Sequence, residues 1–280
     1  MPIPPSLIGG SLPGWTFLQE TRERQQATFE SSTDIQRNVD GMREKLSQPF
    51  TLDDLMGDRQ LLRPVLQSFG LQDEIDKGAF IRRIISDGPD DPQGFARRLN
   101  NNEFIDLSRT FVADSDGLIR LSSSEVDNLV QGYLDEAFEV AVGEQEPSLR
   151  LALNFEQEIG ALARDSASDR SFWLKVIGSA PLMEVFQAAF ILPDGFANLD
   201  VDKQADYLQN RAEQVIGTDP RTILGSDEGI QTTIRQFILQ TQLQNGPDAL
   251  TPGASALTLL SAGAGFGAQS LSSLVLSNAV

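Results

Sequence analysis

The chain has 280 residues, 40% of them hydrophobic, enough to bury one large core or two small ones. Acidic residues outnumber basic ones 40 to 22, and the net charge of −18 argues against phosphate backbones and anionic membrane surfaces as partners. Cysteine and histidine are both absent, which excludes disulfides, thiol catalysis, Cys/His zinc sites and every histidine-based triad or general base.

Residues 1–14 hold four prolines and three glycines and are expected to form an irregular arm, with Trp15 as its candidate contact to the body or to a partner. The opening Met-Pro-Ile-Pro-Pro lacks the basic and apolar parts of a secretory signal. No run approaches the roughly 20 apolar residues of a membrane span. From Thr16 the chain is rich in Gln, Glu and Arg. Asp34 is placed to cap a helix carrying Ile35, Val39, Met42 and Leu46 on one stripe, ended by Pro49. A helix over about 51–69 stops at Gly70, with Pro64 expected to kink or split it. Phe80, Ile81, Ile84 and Ile85 make the face of a short helix that Gly88-Pro89 terminates. Asp91-Pro92 reads as a helix start. Phe95 and Leu99 continue that face, Asn100 to Asn102 interrupt it, and Phe104, Leu107 and Phe111 resume it.

Asp114-Ser115-Asp116-Gly117 is a turn and a natural seam. It shares features with a calcium loop, but Val112 stands where an oxygen ligand belongs and Glu125 falls two residues late, so a helix-to-helix turn is the reading. Ser122 and Glu125 form a capping box. Val126, Leu129, Val130, Tyr133, Leu134, Ala137, Phe138 and Ala141 then repeat at the spacing of one helical face. After Pro147 a helix carries Leu151, Phe155, Ile159 and Leu162. The next carries Leu174, Ile177, Leu182, Phe186 and Phe190, with Pro181 near its middle. Pro193-Asp194-Gly195 turns the chain, and helices near 201–216 and 227–244 follow. No segment alternates apolar and polar residues long enough to make a sheet, so the fold is expected to be all-α.

The same helical unit is expected twice. At an offset of 121, Leu55, Gly57, Leu61, Leu62, Phe69 and Leu71 fall on Val176, Gly178, Leu182, Met183, Phe190 and Leu192. Asp91-Pro92 reappears as Asp219-Pro220, and Arg109, Phe111 and Val112 as Arg235, Phe237 and Ile238. The organisation that follows is an arm over 1–15, a first helical repeat over 16–113, a connecting turn over 114–121, a second repeat over 122–245 and a tail over 246–280. That tail is built of small residues with leucine islands. It reads as flexible, with Leu257, Leu260, Leu271, Leu274 and Leu276 as candidate docking residues for a partner.

No catalytic, cofactor-binding or metal-ligating set emerges. Asp53-Asp54 and Asp90-Asp91 sit at expected helix starts, where negative charge complements the dipole. The glycines at 263, 265 and 267 lack the strand-turn-helix setting and the lysine of a nucleotide site. Arg82-Arg83 and Arg97-Arg98 lie on polar helix faces, where salt bridging is expected. Trp173 is expected in the core.

One stretch carries a resemblance: Phe50-Thr51-Leu52-Asp53-Asp54-Leu55, Asp58-Arg59-Gln60-Leu61-Leu62, Ser68-Phe69-Gly70-Leu71, Phe80-Ile81-Arg82-Arg83-Ile84-Ile85 and Phe95-Ala96-Arg97-Arg98-Leu99. It resembles the family catalogued as "domain of unknown function 1217", as does Gly14-Trp15-Thr16-Phe17-Leu18-Gln19. The pattern departs from the family at Glu103-Phe104, where an Arg–aromatic pair is usual. The resemblance implies an alphaproteobacterial origin and company among flagellar genes, with no catalytic residues to carry over. The expectation is therefore a non-enzymatic protein of flagellar assembly or structure. It would be cytoplasmic or flagellum-associated, free of cofactors, and act through contacts with flagellar proteins. The alternatives are a cytoplasmic chaperone or regulator of flagellar export and, more remotely, a carboxylate-based hydrolase.

Overall fold

Strong local stop and start signals cut the chain into short helices. A computed structural model describes residues 3–7, 11–89, 94–99 and 101–245. The described residues of the first half form α1 (Ser11–Glu30), α2 (Thr33–Leu46), α3 (Leu52–Gly57), α4 (Arg59–Gln67), a 3-10 turn at Gln72–Glu74, α5 (Gly78–Asp87), α6 (Phe95–Leu99) and α7 (Asn102–Thr110). Those of the second half form α8 (Ser123–Gly143), α9 (Pro147–Asp165), α10 (Asp169–Gly178), α11 (Ala180–Ala189), a 3-10 turn at Phe196–Asn198, α12 (Val201–Val215), α13 (Pro220–Leu224) and α14 (Asp227–Asn245). The fold is all-α: extended pairing among the described residues is limited to isolated bridges from Ile119 to Phe50 and Ala113. These bridges pin the turn at 114–117 against the entrance to α3.

Two long helices, two short ones, a 3-10 turn and three more helices thus occur in the same order in each half. The likeness is closest where the sequences align. Asp58 lies between α3 and α4, and Ser179 lies between α10 and α11, each ending one helix and opening the next. Both second helices end with a backward bond over five residues, Leu71 N to Leu66 O at 2.9 Å and Leu192 N to Gln187 O at 3.0 Å. The residue before each bond has positive φ, 70° at Gly70 and 51° at Ile191. The correspondence fails at the last helices. Thr110 ends α7, which packs on α5 and α6, whereas α14 continues to Asn245 and packs across α9, α11 and α1. Accordingly Val112 is exposed while its sequence counterpart Ile238 is buried.

Several expectations change in detail. The helix expected over 51–69 is split at Asp58, six residues ahead of Pro64. The Asp58 side chain accepts from Gln60 N and Leu61 N, so capping beats the proline as the breaking signal. The second unit splits in the same way at Ser179, and Pro181 falls in the first turn of α11, where it is tolerated. The arm over 1–15 is shorter than expected because α1 starts at Ser11, with Pro13 in its first turn. The capping box of Ser122 and Glu125 forms, and so does one between Thr51 and Asp54.

The core is continuous. Ile35, Val39, Met42 and Leu46 of α2 are buried, as the stripe requires. Helix α8 lies against α1, α2, α4 and α9, and α9 in turn packs on α10, α11, α13 and α14, so this pair joins the two halves. Phe138 of α8 meets Phe29 of α1 edge-on at 5.8 Å. In the second half Phe186 stacks edge-on with Phe155 and with Trp173, each at 5.3 Å. Leu134, expected on the buried face of α8, is only half-buried and packs at its margin.

An acidic cleft over a buried glutamate

The expected site residues come apart. Trp15 is 4% exposed inside α1, and its indole N–H donates to Gln231 Oε1 of α14 at 3.2 Å. Of the two contacts expected of it, body or partner, Trp15 makes the one to the body, joining α1 to α14. Leu257, Leu260, Leu271, Leu274 and Leu276 lie outside the described residues, as does Asp91-Pro92. Trp173 is buried, as expected, and donates to Gln209 Oε1 at 2.6 Å. Asp114 accepts from Asp116 N and Leu118 N and pairs with Arg120, so its carboxylate is used by the turn. Arg82 pairs with Asp53, and Arg83 with Asp87 at 2.7 Å.

The chemistry gathers elsewhere. A groove of about 1190 Å³ runs between α2 and α4, but its Arg37, Lys45 and Arg59 are paired with Asp34, Asp58 and Asp76. A cleft of about 820 Å³ lies between the end of α4, α7, α8, α9 and the start of α11. Eight carboxylates and one guanidinium, that of Arg150, line it among the described residues. Glu103 and Asp106 come from α7, Glu158 from α9 and Glu184 from α11. Glu136 and Glu139 come from α8, one turn apart on the same face.

Glu139 lies deepest, at 2% exposure. Burial, with Glu136 adding to it, pushes its carboxyl up to about 8. Glu136 is also raised by burial, although Arg150 opposes the shift through a 2.7 Å ion pair. Asn154 of α9 donates to Glu158 Oε1 at 2.8 Å, while its own Oδ1 is buried without a hydrogen-bond partner. Close helix packing shapes one wall: a Cβ at Gly132 would meet Ser68 O at 2.8 Å. Behind the cleft Glu156 ties α9 to α1 through Arg22 at 2.6 Å and to α14 through Gln231.

Periodicity did not point to Glu136, Glu139, Asn154 or Glu158. The available signal was Phe138-Glu139-Val140-Ala141-Val142, an acid inside a run that leaves α8 apolar on more than one face. The first turns of α8 keep a solvated side at Ser124, Asp127, Asn128 and Gln131, but over 137–142 the helix has none, and an acid in that stretch is forced inward.

Comparison with solved structures finds a crystal structure of a protein from Agrobacterium tumefaciens, 23% identical, with a TM-score of 0.65 over 88% of this chain and 100% of that one. At that identity the likeness speaks for the fold alone. Comparison with the curated proteins finds no match. The model of a family described as "Protein of unknown function (DUF1217)" matches residues 68–223, more than half of the chain and including much of the cleft. The protein is a member of that family.

Proposed function

We propose that the protein works without catalysis, through protein–protein contacts in flagellar assembly or structure, and that the acidic cleft is its contact site. The observation that carries the contact role is the cleft, about 820 Å³ in volume and lined by eight carboxylates against one guanidinium among the described residues. The flagellar setting rests on what the sequence resemblance implies about neighbouring genes. Affinity capture from flagellated cells, with mass spectrometry of what is retained, tests both parts. The expected result is a flagellar partner that is lost with Glu139→Gln. Normal flagella and normal swimming in a deletion strain count against the flagellar setting. Fractionation separates an assembly component, found in purified flagella, from a chaperone or export regulator that stays in the cytoplasm.

One observation favours a hydrolase as the second reading. A carboxyl held protonated near neutral pH beside other carboxylates is what a general acid requires. Turnover of glycoside or ester substrates by the full chain, abolished by Glu139→Gln, would establish that reading in place of the first.

A further inference from the structure

We propose that the acidic cleft receives a lysine or arginine side chain from a basic segment of a protein partner, and that Glu139 is the carboxylate this cation meets at the floor. The inference rests on the protein-contact reading above and supplies the chemistry of the contact. Two acceptors in the cleft lack donors. Asn154 Oδ1 is buried without a partner, and Glu139, at 2% exposure and lining the cleft, makes no hydrogen bond or ion pair to the described residues that would hold its carboxyl away from an occupant. Buried acceptors are normally satisfied, so an occupant that completes this site brings N–H donors. An ammonium brings three and a guanidinium five.

Spacing separates this occupant from a metal ion. No group of three carboxylates among the described residues is arranged to hold one. The acids are spread along the cleft, as a cation with several directional donors needs. Half-buried Phe69, Val140 and Leu151 stand among them and offer apolar surface to the methylene stem.

The basic groups already present do not fill the role. Four charged side chains act on Glu139: Glu136 from its own helix, Glu158 and Arg150 from α9, and Arg22 from α1. Arg150 is engaged by Glu136 and Arg22 by Glu156. With its carboxyl pushed up to about 8, Glu139 keeps its proton at neutral pH in the protein alone. An entering cation favours the ionised form and expels that proton. Binding therefore releases a proton below that value, and affinity rises as pH climbs toward it.

The test is calorimetric titration of the full chain with a tetralysine peptide at about 0.1 M salt, which damps the general attraction of the acidic surface. Running it in two buffers of different ionisation heat counts the protons released. The proposal expects saturable binding, release of roughly one proton near neutral pH, and binding weakened about tenfold or more by Glu139→Gln with no proton released. Asp202→Asn combined with Asp206→Asn, on α12, should leave the affinity unchanged. Equal binding by wild type and Glu139→Gln overturns the proposal in favour of diffuse attraction. Spermine binding as tightly as the peptide overturns it in favour of a small-polyamine pocket. No binding overturns it outright. None of these readings depends on motility, so the cleft can fail while the flagellar role stands, and the reverse.

Discussion

Glu139→Gln should make the protein more stable at neutral pH and change its stability little in acid. The folded chain holds the Glu139 carboxyl at about 8, against an ordinary value of 4.5. Between those values the folded state keeps a proton that the unfolded state has released. Stability therefore falls as pH rises from the lower value and levels off above the higher one. Each pH step in that window costs about 1.4 kcal/mol, so the full effect near neutral pH is about 3–4 kcal/mol. Structural relaxation and water entry reduce it, and an amide leaves its own N–H groups to be satisfied. The net expectation is a gain of about 1–3 kcal/mol near pH 7.5 and almost none near pH 5. Urea denaturation of both proteins across that range measures it directly. Parallel pH profiles for wild type and variant would refute the reasoning, because they would show a carboxyl that titrates alike in the folded and unfolded chains.

Three further substitutions probe the packing. Gly229→Ala places a Cβ 2.1 Å from the backbone oxygen of Ile223 and should force α13 and α14 apart, with a loss of about 1–3 kcal/mol in urea unfolding. Phe138→Ala removes a buried ring packed on Phe29 and should cost about 3–5 kcal/mol, while Leu134→Ala at the margin of the same face costs clearly less. Equal losses at the two positions would contradict the burial described for α8. Ile191→Gly relieves a β-branched residue at φ 51° that is 54% exposed, and should raise stability by about 1 kcal/mol. A loss there would mean that the isoleucine side chain contributes more than its backbone strain costs.

Features governed by neighbours in sequence were the legible ones. The α2 stripe, the Ser122 capping box and the stop at Gly88 each depend on residues within a turn or two, and each is found where the pattern places it. Pattern and structure part where two local signals compete, as at Asp58 and Pro64, or where burial is set by distant helices. On α10 the periodicity places Leu174 and Ile177 on the inner face, yet both are only half-buried, while Phe172 and Val176 are buried beside Trp173, whose burial is expected. That face is chosen by α12, which packs along α10 and supplies Gln209 to the indole of Trp173. The acidic cleft was hidden for the same reason. Its carboxylates come from four helices, and a glutamate on α8 reads as a solvated residue until α1, α2, α4 and α9 surround that helix.

The contact between Trp15 and Gln231 sets an order on synthesis. These residues are 216 positions apart, and α1 rests partly on α14. As the chain leaves the ribosome, α1 is the first described helix to appear, yet it must wait for the last described helix to complete its own burial. Until α14 arrives, the indole of Trp15 and the apolar face of α14's neighbours α9 and α11 stay open to water or to a chaperone. A nascent chain stalled before residue 231 should therefore expose Trp15 to solvent, with the red-shifted, quenchable emission of an unburied indole, although the helices before it are already made.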